Sequence, residues 1–153
     1  MKSSELLLQL KDDIKQFKPK INVNMKNNDE KKDSVNNVIS KYNKDNFNEI
    51  INSTIEGLNN EINEETFDDF KFRIDNYFRL YSPNQDEFKE FIKIISLYLT
   101  FIVKKPLHPP GIKFSNGLRV YKKEDLYYCS AKNVFIKDKL SLCKYCVSKG
   151  SES

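Results

Sequence analysis

Four side chains in this sequence have the softness and basicity that metal chemistry needs: His108, Cys129, Cys143 and Cys146. They are the only histidine and the only three cysteines of the chain, and all fall in its last third. Cys143 and Cys146 form C-K-Y-C, the two-residue spacer that lets neighbouring thiolates hold one ion. Cys129 precedes Cys143 by fourteen residues, and His108 precedes Cys129 by twenty-one. Three thiolates and one imidazole match a closed tetrahedral zinc site, because thiolates suit Zn2+ and four protein ligands leave no open position. The interval from His108 to Cys129 fits no standard finger, so the fold must bring the set together. An iron–sulfur cluster could use the same ligands, histidine replacing one cysteine. Binding by only three of the four would open a water position for metal-dependent hydrolysis. Without metal, the cysteines would serve as small buried hydrophobes, and His108 would cap a helix end by donating to a carbonyl. A thioredoxin-like redox pair is disfavoured, since the seven residues after Cys146 are too few for the βαβ frame it requires.

His108 sits in 104-KKPLHPPG-111, which holds three of the five prolines and one of the four glycines. Pro106, Pro109 and Pro110 restrict the backbone around the imidazole, and Gly111 permits the turn out. A ligand held in this way loses little entropy on coordination. The metal would then tie this loop to the C-terminal segment, which is a structural role.

The elements that must position these groups are mostly helical. Leu6, Leu7, Leu10, Ile14 and Phe17 recur at helical spacing behind Ser3 or Ser4 as a possible N-cap, and Pro19 should end that helix. The polar run 20-KINVNMKNNDEK-31 reads as a loop. Val35, Val38, Ile39 and Tyr42 predict a short amphipathic helix. Asp45 could cap another, with Phe47, Ile50, Ile51, Ile55 and Leu58 on one face. Phe67, Phe70, Ile74, Tyr77, Phe78 and Tyr81 form an aromatic stripe that reads as core. Glu64, Asp68 and Asp75 lie on another face of that helix. Without a matching Glu-x-x-His they read as a solvated acidic face. Ser82-Pro83-Asn84-Gln85 looks like an N-cap, a first-turn proline and a capping-box glutamine. The helix it would start has one narrow polar stripe, Lys89, Lys93, Ser96 and Thr100, and so belongs at the centre of a bundle. Lys104, Lys105 and Pro106 should end it. Beyond lies alternation in 112-IKFSNGLRVYKKEDLYYC-129, with Asn116-Gly117 as the preferred type I′ dipeptide and a second polar turn at 122-KKED-125.

Composition bounds what this assembly can do. The chain of 153 residues is 39% hydrophobic and 31% charged, ordinary for a soluble domain. Its longest apolar run, 94-IISLYLTFIV-103, is far short of the ~20 residues that cross a bilayer. No secretory signal opens the sequence, and an odd cysteine count argues against a disulfide scaffold, so a cytoplasmic location is expected. The net charge of +4 is uneven: residues 104–153 carry 11 Lys or Arg against four Asp or Glu. Lys113, Arg119, Lys122 and Lys123 could meet nucleic acid, but no recognition motif accompanies them, and a solvated lysine-rich surface is the better reading.

The segments 97-LYLTFIVKKPLHPPGIKF-114, 127-YYC-129 and 142-LCKYC-146 resemble an uncharacterised protein family of methanogenic archaea. That family combines a helical N-terminal part with a PLHP loop, a YYC element and a terminal C-x-x-C. The resemblance covers about the last 60 residues. It implies a reducing cytosol, which suits thiolate ligation over a disulfide. It implies no activity. The expected fold is mostly α, in the α+β class: a bundle of about five helices over 1–105 and a β-hairpin and cysteine region over 106–150, in a single domain over 1–153. The expected function is that of a structural or interaction module with a structural zinc site.

Overall fold

The computed structural model describes residues 1–17, 35–114 and 116–150. The predicted stop at Pro19, the loop over 20–31 and the end of the polar tail lie outside the described residues. Among the described residues, five α-helices and one two-stranded antiparallel sheet make a mostly helical α+β fold.

Helix α1 (Ser3–Asp13) runs into a 3-10 turn, Ile14–Phe17. All five apolar residues predicted for its inner face are buried. Ser3 is not a cap: it begins the helix buried, and its Oγ accepts the Asn60 amide (3.2 Å), tying the N-terminus to a distant segment. Helix α2 (Val35–Asn52) is continuous where two helices are expected. Asp45 caps nothing; it lies inside α2 and pairs with Lys41 one turn earlier (3.4 Å). The helix ends before Ile55, which is exposed. Its last carbonyls are capped from outside by Lys11, whose Nζ donates to Ile50 and Ile51 (3.2 and 2.8 Å) and to Ser53. A cation there also meets the negative pole of the helix.

Helix α3 (Glu64–Tyr81) has a side-chain cap, Asn63 Oδ1 accepting from the Thr66 amide at 2.9 Å. Phe67, Phe70 and Ile74 are buried, and both phenylalanines meet Phe101 edge-on. Farther along, Tyr77 and Tyr81 are exposed. Helix α4 (Asp86–Leu97) starts three residues later than Ser82 as N-cap would place it. Ser82 instead closes α3, its amide donating to Phe78 O (2.8 Å), and Gln85 occupies the α4 N-cap without a side-chain bond. The polar stripe is not left to solvent: Ser96 and Thr100 are buried, and the two lysines are engaged. Lys93 reaches Asp75 of α3 at 2.6 Å and Lys89 at 3.7 Å, so Asp75 is an interhelical partner and not a free acidic face.

The end of α4 widens into a π turn, Tyr98–Ile102. Lys104 adopts a left-handed backbone (φ 57), and the Lys105 amide donates back to Leu99 O (2.9 Å). This seven-residue closure ends the helix with lysine at the left-handed position where glycine is usual.

The sheet pairs β1 (Val120–Lys123) with β2 (Leu126–Cys129) in the register Val120 to Cys129 and Lys123 to Leu126. Helix α5 (Ser130–Phe135) follows directly. The type I′ geometry falls at Glu124-Asp125, both left-handed (φ 51 and 69), and not at Asn116-Gly117. At the latter, Phe114 and Leu118 bond across a wider loop (2.7 Å) in which Gly117 takes φ +87. A second buried cluster, Ile112, Val120 and Cys129, packs the hairpin onto Val35, Val38 and Ile39 of α2.

Two side chains therefore carry a backbone conformation that asparagine and glycine adopt at less cost. Replacing Glu124-Asp125 by Asn-Gly should stabilise the fold by about 1 kcal/mol, read as a higher urea midpoint at unchanged m-value.

Candidate functional site

The four candidate ligands come from three places in the fold. His108 is carried by the loop after the π turn, Cys129 ends β2, and Cys143 and Cys146 flank a single helical turn. That turn is closed by the Tyr145 and Cys146 amides, both donating to Leu142 O (2.9 and 3.1 Å). All four side chains line one cleft of about 550 Å3, walled on the other side by α3 and α4. The cysteines are free thiols. Among the described residues, no three His, Cys, Asp or Glu side chains converge closely enough to hold a metal ion as they stand. The fold thus brings the predicted residues to one cavity without collapsing them to one point.

Each wall of the cleft is held by specific bonds. The His108 loop is anchored at Pro106, which is buried and whose carbonyl accepts the Tyr42 hydroxyl at 2.6 Å. Burial above all, with Cys146 and Tyr127 nearby, pushes the Tyr42 hydroxyl above its ordinary range, so it remains a donor. Gly111, at φ +95, turns the chain out, and its amide donates to Val120 O (2.8 Å). His108 packs edge-on against Phe114 with ring centroids 5.4 Å apart. Its exposed surface faces a concavity crowded by protein, and this desolvation lowers its pKa below the usual 6.5. The imidazole is therefore neutral at pH 7, the state that can bind a metal.

Cys129 is buried at the N-cap of α5. Burial raises its thiol pKa, against the opposing pull of the Lys132 and Ala131 amides. The segment beyond Cys146 returns alongside β2: the Cys129 amide donates to Lys149 O (2.7 Å), and the Lys149 amide to Tyr127 O (2.8 Å). Lys132 of α5 fastens the same segment, donating to Cys146 O and Ser148 O (2.8 and 2.7 Å).

The C-x-x-C turn is held to α3 by residues that sequence reasoning missed. Arg73 donates to Asp69 (2.9 Å), Ser141 O (2.8 Å) and Asp138 O (3.2 Å), and its guanidinium lies over the Tyr145 ring. Tyr145 donates its hydroxyl to the same Asp69 carboxylate. The Tyr145 hydroxyl first, and Arg73 after it, hold the Asp69 carboxyl below its ordinary 3.8. The available signal was the acid-to-base i,i+4 spacing of Asp69 and Arg73, but one such pair on a charged helix is unremarked.

Arg73→Ala removes the bonds to Ser141 and Asp138 and strands Asp69. It should destabilise the chain by about 2–3 kcal/mol and selectively speed amide exchange over 138–146. Because Asp69 titrates below its unfolded value, its contribution is complete above about pH 3.8 and disappears as pH falls through the lower folded value. Acid should therefore loosen 138–146 in the parent, and Asp69→Asn should remove that pH dependence.

The sequence profile of an uncharacterised protein conserved in archaea, DUF2115, matches residues 2–151. A UPF0305 protein of Methanocaldococcus jannaschii is 39% identical over 89 residues, 58% of this chain and 54% of the relative. One of Methanothermobacter thermautotrophicus is 37% identical over 67 residues, 44% of this chain and 41% of the relative. One of Methanococcus maripaludis is 34% identical over 89 residues, 58% of this chain and 54% of the relative. Over the aligned segments the chain spans about half the length of these relatives. No solved structure matches it. With the family profile matched across nearly the whole chain, the protein belongs to the DUF2115 family of archaea.

Proposed function

We propose that the protein is a structural or interaction module whose C-terminal third is locked by one soft metal ion, zinc, bound by His108, Cys129, Cys143 and Cys146. The observation that carries this reading is that the sole imidazole and all three thiols line one cleft, although up to 38 residues separate them. Cys143 and Cys146 supply a preset pair on one turn, and His108 supplies a neutral nitrogen from a proline-stiffened loop. Coordination would draw the loop and the turn inward and release the Cys129 proton, which burial retains in the free thiol. With four protein ligands the ion keeps no open position, so its work is to hold the C-terminal segment and not to hydrolyse a substrate.

A second reading uses the same ligands for an iron–sulfur cluster. The cleft, at about 550 Å3, has room for a group larger than one ion.

Elemental mass spectrometry on protein purified without oxygen separates these readings. The zinc reading expects about one zinc per chain, lost in Cys143→Ser and in His108→Ala. It also expects the Cys143→Ser variant to melt well below the parent, because metal binding is coupled to local folding. Iron with acid-labile sulfide and visible absorbance would select the cluster. A parent free of both metals, with Cys143→Ser melting like it, would overturn the proposal.

A further inference from the structure

The pleat of the hairpin separates two faces. Val120 and Cys129 point inward, buried with Ile112 against Val35, Val38 and Ile39 of α2. Their neighbours Tyr121 and Tyr128, paired directly across the ladder, therefore point outward. The two rings lie nearly parallel, 18° apart in plane with centroids at 5.3 Å. Arg119, exposed, lays its guanidinium over the Tyr121 ring at 4.6 Å. Lys113, also exposed, bridges directly opposite Arg119, which puts a second cation at the same end of the face. The acidic side chains of the hairpin, Glu124 and Asp125, stand at the far turn, three residues beyond the tyrosine pair. Lys122 is on the inward-facing parity and lies near Tyr127, so the four-cation group read from sequence is split between faces.

We infer that this outer face is a stacking platform for single-stranded nucleic acid. Tyr121 and Tyr128 are each half-buried, and Arg119 lies over Tyr121, so Tyr128 is the ring left to take a base in a sequence-tolerant stack while the flanking cations meet the phosphates. A solvated lysine surface needs no aromatic ladder beneath it, and a duplex, whose bases are already stacked, could use only the cations. Charge favours the assignment, since residues 104–153 carry +7 while the remainder carries −3. The platform is on the opposite face of β2 from Cys129, so it stands independently of the metal reading.

Fluorescence anisotropy tests it with the full chain and labelled single-stranded RNA and DNA of about 12 nucleotides, at about 50 mM salt. A duplex of the same sequence and polyglutamate serve as competitors. The platform expects single strands of either sugar to bind, with Tyr121→Ala plus Tyr128→Ala weakening binding by about tenfold or more, the loss of one stacked base. Phenylalanine at both positions should retain binding, because it keeps the ring faces. Lys113→Gln plus Arg119→Gln should lower the slope of log affinity against log salt by about 1.4, two phosphate contacts on a single strand. If the alanine variant fails to fold, the surface glutamine variant and the phenylalanine variant decide the matter. Absence of binding to any strand, equal binding by alanine and phenylalanine variants, or equal competition by duplex or polyglutamate would each overturn the inference.

Discussion

Arg73 sets the terms on which the C-terminal third stays attached. Its side chain is only 12% exposed, and a guanidinium cannot shed its charge to relieve burial. It can be kept there only if its donors are occupied, and the occupants are Asp69 on its own helix and the carbonyls of Ser141 and Asp138 far along the chain. Pulling the C-terminal segment away would leave a buried cation with unmet donors, a larger loss than the bonds themselves are worth. Leu142 and Tyr145 add apolar contact to the main core, with Tyr145 meeting Phe70 at 5.9 Å. The C-x-x-C turn is thus fixed to α3 through Tyr145 and the Ser141 carbonyl, while Cys143 and Cys146 line the cleft.

Much of the fold was legible because apolar spacing reports a buried face directly. Leu6, Leu7, Leu10, Ile14 and Phe17 are all buried as their spacing requires. The same rule overreached on α3, where Tyr77 and Tyr81 continue the stripe of Phe67, Phe70 and Ile74 but are exposed. Periodicity names a face; it does not say where the covering partner ends. Boundary errors have a different origin. Asp45 and Ser82 are both good caps by chemistry, and local preference cannot reveal that α2 runs through the first while the second closes the preceding helix. At the hairpin the chain reverses at both expected turns: Lys113 bridges Arg119 across Asn116-Gly117, and β1 and β2 turn at Glu124-Asp125 inside the 122–125 segment, in the register that faces Val120 and Cys129 to α2.

The candidate site was legible as a set of residues and not as an arrangement. Rarity drew attention to His108, Cys129, Cys143 and Cys146, and the fold does gather them into one cleft. What spacing could not supply is the framework around them. Tyr42 on the Pro106 carbonyl, Lys132 on the carbonyls of Cys146 and Ser148, and Arg73 on those of Asp138 and Ser141 are all side chain to backbone bonds. Such bonds join residues that sequence separation hides, and the acceptor carbonyl carries no residue identity to recognise. The π turn after α4 is similar. Its first residue, Tyr98, donates to Glu49 at 2.7 Å, and Lys105 reaches the other oxygen of that carboxylate at 3.4 Å, so the start of the His108 loop is pinned to α2.

The two surfaces of β2 are physically linked by the pleat that separates them. Tyr128 and Cys129 are adjacent in sequence and point to opposite faces, so any force that fixes one fixes the strand that carries the other. The backbone bonds from Cys129 and Tyr127 to Lys149 extend that constraint to the C-terminal segment, and the Lys132 bonds extend it to the C-x-x-C turn. The same four residues of backbone thus carry Tyr128 to the outer face and Cys129 to the cleft, and the pairing with β1 fixes both placements at once.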